Sequence, residues 1–193
     1  MKKKLLVAIM FLMGLSKLAL AADTYTLDKV HSQIGFSVKH LLVAQTKGQF
    51  MDYEGTIQFD ANDPTAFSAD VVLQANSINT NNSDRDNHLK SPDFLDADAY
   101  PTMTFKSKSL VEGTLTGDLT MHGVTKEVTI PVTISGPVNM PSVAGGGQAI
   151  GLSGETTINR QDFGVSFNKT MDQGGLMVDN LVKIMIDIEA HKK

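Results

Sequence analysis

The sequence predicts an all-β fold with one short helical insertion. Three observations lead to this prediction. Apolar and polar residues alternate with a period of two along most of the chain, the connections between the alternating runs are short, and one segment rich in Asp and Asn breaks the alternation. A strand with one buried face produces such alternation, because successive side chains point to opposite sides of the sheet.

The alternation defines about eight strands. Residues 34–40 carry the first clear run, and the clearest lies at residues 182–190, where Ile and Val alternate with charged side chains. Tight turns such as Glu112-Gly113 and His122-Gly123 link neighbouring runs, which is typical of antiparallel hairpins in a meander. Periodicity alone leaves a sandwich, a jelly roll and a closed barrel open.

The segment at residues 79–100 contains the predicted helix, around residues 82–91. Ser83 can cap the helix, Asp84 and Asp86 favour its first turn, and Pro92 ends it. A helix inserted between barrel strands is suited to act as a lid.

The N-terminal residues 1–21 are predicted to be a cleaved signal peptide. Lys2, Lys3 and Lys4 form a basic start, and the apolar run at residues 5–15 is too short to span a bilayer. Cleavage after Ala21 leaves residues 22–193 as one domain of an exported protein. Four lysines and no acids leave with the signal, so the net charge falls from -4 to -8.

Composition excludes several functions. An acidic surface argues against nucleic-acid binding, which needs clustered Lys and Arg. The chain has no cysteine, which excludes disulfides, thiolate catalysis and Cys-ligated metals. Asp84, Asp86 and His88 do not have the spacing of a standard structural zinc site, and no G-x-S-x-G motif accompanies any serine. We therefore expect no catalytic residues, no metal and no cofactor other than a bound lipid.

Several motifs carry a family resemblance. They are YTLDKVHSQIGFSVKH at residues 25–40, GQFMDYEG at 48–55, SINTNNSDRDNHLKSPDFLD at 77–96, YPTMTF at 100–105, GDLTMHGVTKEV at 117–128 and RQDFG at 160–164. With these motifs in this order, the chain resembles the YceI-like family of periplasmic polyisoprenoid-binding proteins, which are similar in fold to lipocalins. The resemblance implies an extended eight-stranded antiparallel β-barrel in the periplasm. Its ligand would be an isoprenoid quinone, a polyprenyl phosphate or a fatty-acid derivative.

The resemblance implies a non-enzymatic carrier or storage protein, and it leaves transient membrane contact and a homodimer open. The apolar residues that share the interior parity, together with one aromatic of the insertion, are predicted to line the ligand pocket; the alternative is that they fill a solid core. These residues are Ile34, Phe36, Val38, Val71, Leu73, Phe94, Phe105, Leu119, Met121, Ile130, Val132, Ile150, Leu152, Ile184 and Ile186.

Five polar residues are candidates for the pocket mouth: Arg85, Asp86, His88, Arg160 and Asp162. They would gate the pocket or bind a polar headgroup. In the alternative interpretation, the first three form a hydrogen-bond network that anchors the insertion, and the last two are a pair that pins a strand end, as Asp28 and His31 would.

Three rival functions stay open at this point. An outer-membrane barrel would turn its apolar parity toward lipid, although the chain has no Trp and three Tyr for the aromatic girdles of such barrels. The other rivals are a lipid-modifying enzyme and a module that binds another protein.

Overall fold

The computed structural model describes residues 22–170 and 176–193, so the predicted signal peptide lies outside the described residues. Within them the chain is mostly strand, with one α-helix, α1 (Ser83–Lys90). No helix in this part of the chain is long and apolar enough to cross a membrane. The strands are β1 (Asp23–Leu27), β2 (Gln33–His40), β3 (Ala44–Phe50), β4 (Tyr53–Phe59), β5 (Ser68–Gln74), β6 (Ile78–Asn79), β7 (Thr102–Val111), β8 (Thr114–Met121), β9 (Val124–Asn139), β10 (Gln148–Asn159) and β11 (Val178–Lys192).

Strand pairing closes the sheet into an antiparallel barrel. β1 and β2 both pair with β11, along successive stretches of it, so they are two halves of one interrupted strand. β3 and β4 pair with β2 and β1 in the same way and form a second interrupted strand. From β4 the pairing continues through β5, β7, β8, β9 and β10 to β11. The described residues therefore form a closed eight-stranded barrel, which confirms the predicted fold.

The predicted tight turns lie between the strands expected. His122 and Gly123 have φ values of 51° and 71° between β8 and β9, and Glu112 and Gly113 have 48° and 74° between β7 and β8. Two consecutive residues with positive φ match the right-handed twist of the strands on either side. The meander from β7 to β9 follows directly from these two turns.

The apolar parity of the strands points into the barrel. On β11, Ile188 and Ala190 are buried, whereas Lys183 and Asp187 are exposed. The outer surface carries ion pairs such as Lys183 to Glu155, whose Nζ and Oε2 are 2.6 Å apart. The core thus occupies the barrel interior, and charged side chains cover the outside.

The insertion forms helix α1 as predicted, but its N-cap is Asn82 and not Ser83. The Asn82 side chain accepts a hydrogen bond from the backbone N–H of Arg85 at 2.9 Å, because Asn82 is the last extended residue before the helix. Asp84 and Asp86 lie in the first turn as expected. Pro92 forces an extended conformation on Ser91 and ends the helix at Lys90.

Candidate functional site

Two apolar cavities lie in line inside the barrel. The larger, of about 120 Å³, occupies its middle and is lined by hydrocarbon side chains with Thr156 as the polar exception. The smaller, of about 100 Å³, lies on the side of α1, and Leu89, Phe94 and Leu95 from the insertion form part of its wall. Both cavities contact Phe50, Met103, Met121, Ile158 and Ile184, which form the partition between them.

The cavity walls contain most of the residues predicted for the pocket. Those on the larger cavity are Ile34, Val71, Leu73, Phe105, Leu119, Met121, Ile130, Leu152, Ile184 and Ile186. Phe36, Val38 and Phe94 line the smaller one. Contact of these residues with a ligand remains a prediction.

Two predicted pocket residues line neither cavity. Ile150 is buried and belongs to the solid core, where it pairs with Ala190 of β11. Val132 packs against the outside of this core and is only half-buried. Both lie on strands with the correct alternation, so periodicity identifies their face but not their height along the barrel axis.

Sequence reasoning missed the partition residues Phe50 and Ile158. Phe50 ends β3, whose sequence AQTKGQF has no apolar alternation before it. Ile158 lies at the end of β10, where glycine and threonine interrupt the apolar pattern. The available signal was position: Phe50 lies within the motif at residues 48–55, and Ile158 lies two residues before the motif at residues 160–164.

The barrel end away from α1 is packed solid. Tyr25, Phe59 and Phe67 are buried there without lining a cavity, and Ile150 completes the packing. Ligand access from this end is closed by aromatic side chains. The helix-covered end is the one where the cavity approaches the surface.

Both cavities are small for a lipid site. Drug-sized ligands usually occupy about 300–1,000 Å³, which exceeds the two volumes together. An apolar cavity of about 150 Å³ accommodates benzene. A chain of several isoprene units therefore requires the partition to open, and Met103 and Met121 are the side chains best able to move because their thioethers are flexible.

Arg160 is the charged residue on the cavity wall. It is 4% exposed, and its guanidinium lies 5.9 Å from the centre of the Phe94 ring. Nε donates to the Asp179 carbonyl at 3.1 Å, Nη1 to the Val165 carbonyl at 2.8 Å and Nη2 to Asn180 Oδ1 at 3.2 Å. Burial lowers the pKa of this guanidinium from its ordinary value, and Asp179 partly offsets that effect.

The predicted pairing of Arg160 with Asp162 is wrong. Asp162 is exposed in the short 3₁₀ turn Arg160–Phe163, and no ion pair links it to Arg160 in the described residues. Arg160 is buried, so the two side chains of this turn lie in different surroundings. Bonds to described residues use three of the five guanidinium N–H donors.

Arg85 and Asp86 anchor the insertion. Arg85 donates from Nε to Thr80 Oγ1 at 2.7 Å and from Nη2 to the Thr80 carbonyl at 2.8 Å. Asp86 Oδ1 accepts from the Thr80 backbone N–H at 2.8 Å and from its hydroxyl. Neither side chain lines a cavity. The structure thus shows the anchoring network, while a role for either residue in gating or headgroup binding stays a prediction.

His88 lies at the outer surface of the insertion. Its Nε2 is 2.8 Å from Asp93 Oδ2, and its ring packs edge-on against Phe94 and Phe167 at centroid distances of 5.0 and 5.1 Å. Phe94 in turn lines the smaller cavity. His88 therefore supports the cover of the cavity from outside and does not reach the cavity itself.

The family model described as the YceI-like domain matches residues 25–190. The chain belongs to the YceI-like family. A UPF0312 protein of Staphylococcus aureus (strain N315) is 38% identical over 165 residues, covering 86% of this YceI-like chain and 95% of that protein.

Solved structures agree with this assignment. A YceI protein of Campylobacter jejuni has a TM-score of 0.68 at 36% identity, covering 88% of this chain and 98% of that one. A polyisoprenoid binding domain from Saccharophagus degradans, implicated in plant cell wall breakdown, has a TM-score of 0.66 at 15% identity, with coverage of 88% and 98%. At 15% identity, the likeness to the Saccharophagus degradans domain is evidence for the fold alone. The YceI-like fold supports a lipid-binding role.

Proposed function

We propose that this YceI-like protein is a periplasmic carrier that encloses the tail of a long-chain amphiphile for transport or storage. The amphiphile is a polyisoprenoid of the quinone or polyprenyl type. The observation that carries the proposal is the axial pair of apolar cavities, closed by aromatic residues at one end and bordered by the buried Arg160 at the other. The polyisoprenoid binding domain from Saccharophagus degradans, which has the same fold, supports this choice of ligand class.

The energetics favour an apolar chain. Each buried methylene equivalent contributes about 0.8 kcal/mol, so three or four isoprene units yield roughly 12 to 16 kcal/mol before the cost of immobilisation. The free energy needed to open the partition at Met103 and Met121 offsets part of this gain. Specificity for chain length is low, because an apolar tube discriminates weakly by one methylene.

Arg160 determines the orientation of the guest. Its guanidinium borders a cavity whose other walls are apolar, so a carbonyl or phosphate oxygen of the ligand head gains a charged hydrogen-bond partner there. The tail then extends toward the closed end. This arrangement suits a quinone or a polyprenyl phosphate better than a plain hydrocarbon.

Transient contact with a membrane forms part of the proposal. The tip of the β2–β3 hairpin, residues 41–43, exposes three apolar side chains. It directly follows the strand end that carries Val38, a residue of the smaller cavity wall. A lipid can therefore pass between a bilayer and the barrel at this end. A homodimer stays a prediction that light scattering can check.

The outward faces of the strands disfavour the rival outer-membrane barrel. Lys108 pairs with Asp118 at 2.6 Å and with Glu127 at 3.0 Å across β7, β8 and β9, on the face that lipid would have to cover. Charged side chains on such a face are costly. The YceI-like fold is that of a binding-protein family, and we propose that this member catalyses nothing.

The experiment that tests the carrier function is lipid extraction from protein purified from its own periplasm, followed by native mass spectrometry. We expect one bound isoprenoid-class lipid per chain. A ligand-free protein that also fails to take up added quinone or polyprenyl phosphate would refute the proposal.

A matched pair of variants locates the ligand. Met121→Trp fills the partition between the cavities and should abolish binding of long chains, at a stability cost of about 1–3 kcal/mol for overpacking. Met185→Trp makes the same change on the outer side of β11, between the inward Ile184 and Ile186, and should leave binding unchanged. Equal effects of the two variants on lipid binding would argue against an interior site.

A further inference from the structure

A cluster of two carboxylates and two imidazoles lies on the outer wall of the barrel, beside the seam where β1 meets β11. Asp28 follows β1, His31 lies in the break before β2, and Glu189 and His191 are on β11. One ligand atom each of Asp28, Glu189 and His191 lies within 4.8 Å of the other two. These three side chains come from two segments far apart in sequence, which the pairing of β1 with β11 brings together.

The donor atoms converge on one carboxylate oxygen. Asp28 Oδ2 is 2.6 Å from His31 Nδ1 and 3.7 Å from His191 Nε2, and His191 Nε2 is also 2.7 Å from Glu189 Oε1. The other oxygen, Asp28 Oδ1, accepts the backbone N–H of Val30 at 2.8 Å. The side chain is thereby held with Oδ2 toward both imidazoles.

The backbone beneath the cluster is rigid. The Asp28 N–H donates to the Glu189 carbonyl at 2.8 Å, and Ser32 Oγ both donates to that carbonyl at 3.1 Å and accepts the Glu189 N–H at 2.9 Å. Tyr53 fixes Ser32 in turn, because its hydroxyl donates to the Ser32 carbonyl at 2.7 Å. Ligands held in place before binding lose little freedom when an ion arrives.

We propose that Asp28, Glu189 and His191 bind a Zn²⁺ ion, with His31 as a positioning residue that orients Asp28. An imidazole nitrogen with carboxylate oxygens is a ligand set that zinc accepts, whereas Ca²⁺ and Mg²⁺ prefer oxygen alone. Three protein ligands leave the fourth tetrahedral position for water. A hydrogen bond from His31 to a ligating carboxylate is the usual outer support of such a site.

The proposed zinc site is independent of lipid binding. Glu189 and His191 alternate with Ile188 and Ala190, whose side chains are buried in the core, so the ion lies on the opposite side of the barrel wall. The ion would join the residue after β1 to the end of β11, across the seam that closes the barrel. Zinc should therefore raise the unfolding temperature, because it binds the folded chain and not the separated segments.

Calorimetric titration of the chelator-treated protein with ZnCl₂ tests the site. We expect saturable binding of one ion, and with Co²⁺ we expect the strong visible absorption of a tetrahedral site. His191→Ala and the isosteric Glu189→Gln should each weaken binding at least roughly 100-fold, and His31→Ala roughly 10–100-fold. Circular dichroism without metal verifies that each variant is folded, and Glu189→Gln is the variant that preserves shape.

A matched control separates a built site from ordinary histidine–carboxylate pairs. His88 is 2.8 Å from Asp93 Oδ2, but within the described part of the chain it belongs to no group of three potential metal ligands. His88→Ala should leave zinc affinity unchanged. Absence of stoichiometric binding, or an equal loss in His88→Ala and His191→Ala, overturns the zinc proposal and leaves the carrier proposal untouched.

Discussion

The two ends of the barrel differ although the same alternating strands build both. At the closed end the large side chains of Tyr25, Phe59 and Phe67 are buried in the interior. At the α1 end a cavity remains although Phe36, Phe50 and Phe94 line it together with aliphatic side chains, and no residue of the helix that covers it is buried. A closed barrel of eight strands is just wide enough to be filled by side chains or to hold one small guest. The packing of side chains at each level along the barrel axis therefore decides whether the interior is filled or retains a cavity.

The difference also predicts where the molecule opens. A segment with few buried apolar contacts opens at lower free energy than the core around it. Helix α1 has no buried residue and is tied to the barrel by hydrogen bonds to Thr80, whereas the closed end is held by burial of large side chains. We therefore expect lipid entry at the α1 end and the larger contribution to global stability at the closed end.

The largest expected effect comes from truncation at the closed end. Ile150→Ala should lower the free energy of unfolding by about 2–5 kcal/mol, because Ile150 is 2% exposed and its surroundings cannot collapse onto the void. Leu152→Ala, two residues along the same face of β10, removes a side chain that already borders the larger cavity. Leu152→Ala should lower the free energy of unfolding by less than Ile150→Ala does, and it should strengthen binding of a long lipid. Urea unfolding and lipid titration measure both quantities.

Equal stability losses with no gain in lipid affinity for Leu152→Ala would contradict the proposed contrast. Such a result would mean that the middle of the barrel is as tightly packed as its closed end. Ile150→Val is the conservative control, and it should cost about 0.5–1.5 kcal/mol without a change in binding.

This pair also marks the limit of prediction from sequence. Ile150 and Leu152 have the same parity on one strand, so alternation predicts that both face inward, and the structure confirms it. Whether each borders a cavity depends on the residues opposite, such as Ala190 across from Ile150 and Ile188 across from Leu152, which only the strand register brings together. The barrel and the helix were thus predictable from local pattern and family resemblance, whereas the extent of the cavity depends on long-range packing.

The second prediction concerns the charge at the α1 end. Arg160→Met should lower the free energy of unfolding by about 1–3 kcal/mol, because the buried carbonyls of Val165 and Asp179 lose their donors. The same variant should bind a polyprenyl phosphate or a quinone more weakly while retaining an isoprenoid hydrocarbon of equal length. Competition for a fluorescent lipid measures the preference.

Arg160→Lys is the control for this prediction. It keeps the charge but loses the fork of donors, so it should retain part of the preference for phosphate and less of that for quinone. If Arg160→Met weakens the binding of polyprenyl phosphate, quinone and isoprenoid hydrocarbon equally, the guanidinium has a structural role only.

The third prediction compares two caps. Asn82→Ala removes the N-cap of α1 and should cost about 1 kcal/mol, confined to the insertion. Amide exchange in α1 and release of bound lipid should both accelerate, because the cover opens more often. Asp63→Ala removes the corresponding cap of the 3₁₀ turn Pro64–Ala66 between β4 and β5, and should leave lipid release unchanged. If the two variants release lipid at equal rates, opening of α1 does not control ligand exchange.

The smallest effect on stability is expected at the β2–β3 hairpin tip. Leu42 is 56% exposed at a φ of 63°, a region that Asn tolerates better than Leu, so Leu42→Asn should change the free energy of unfolding by about 1 kcal/mol or less, toward greater stability. The same change removes an apolar group from the proposed membrane contact, so lipid transfer to zwitterionic vesicles should slow. Unlike Asn82→Ala, it should leave the dissociation constant of the lipid unchanged. If Leu42→Asn is more stable and transfers lipid more slowly, the strained conformation of Leu42 serves lipid transfer. An unchanged transfer rate would place lipid exchange elsewhere on the barrel.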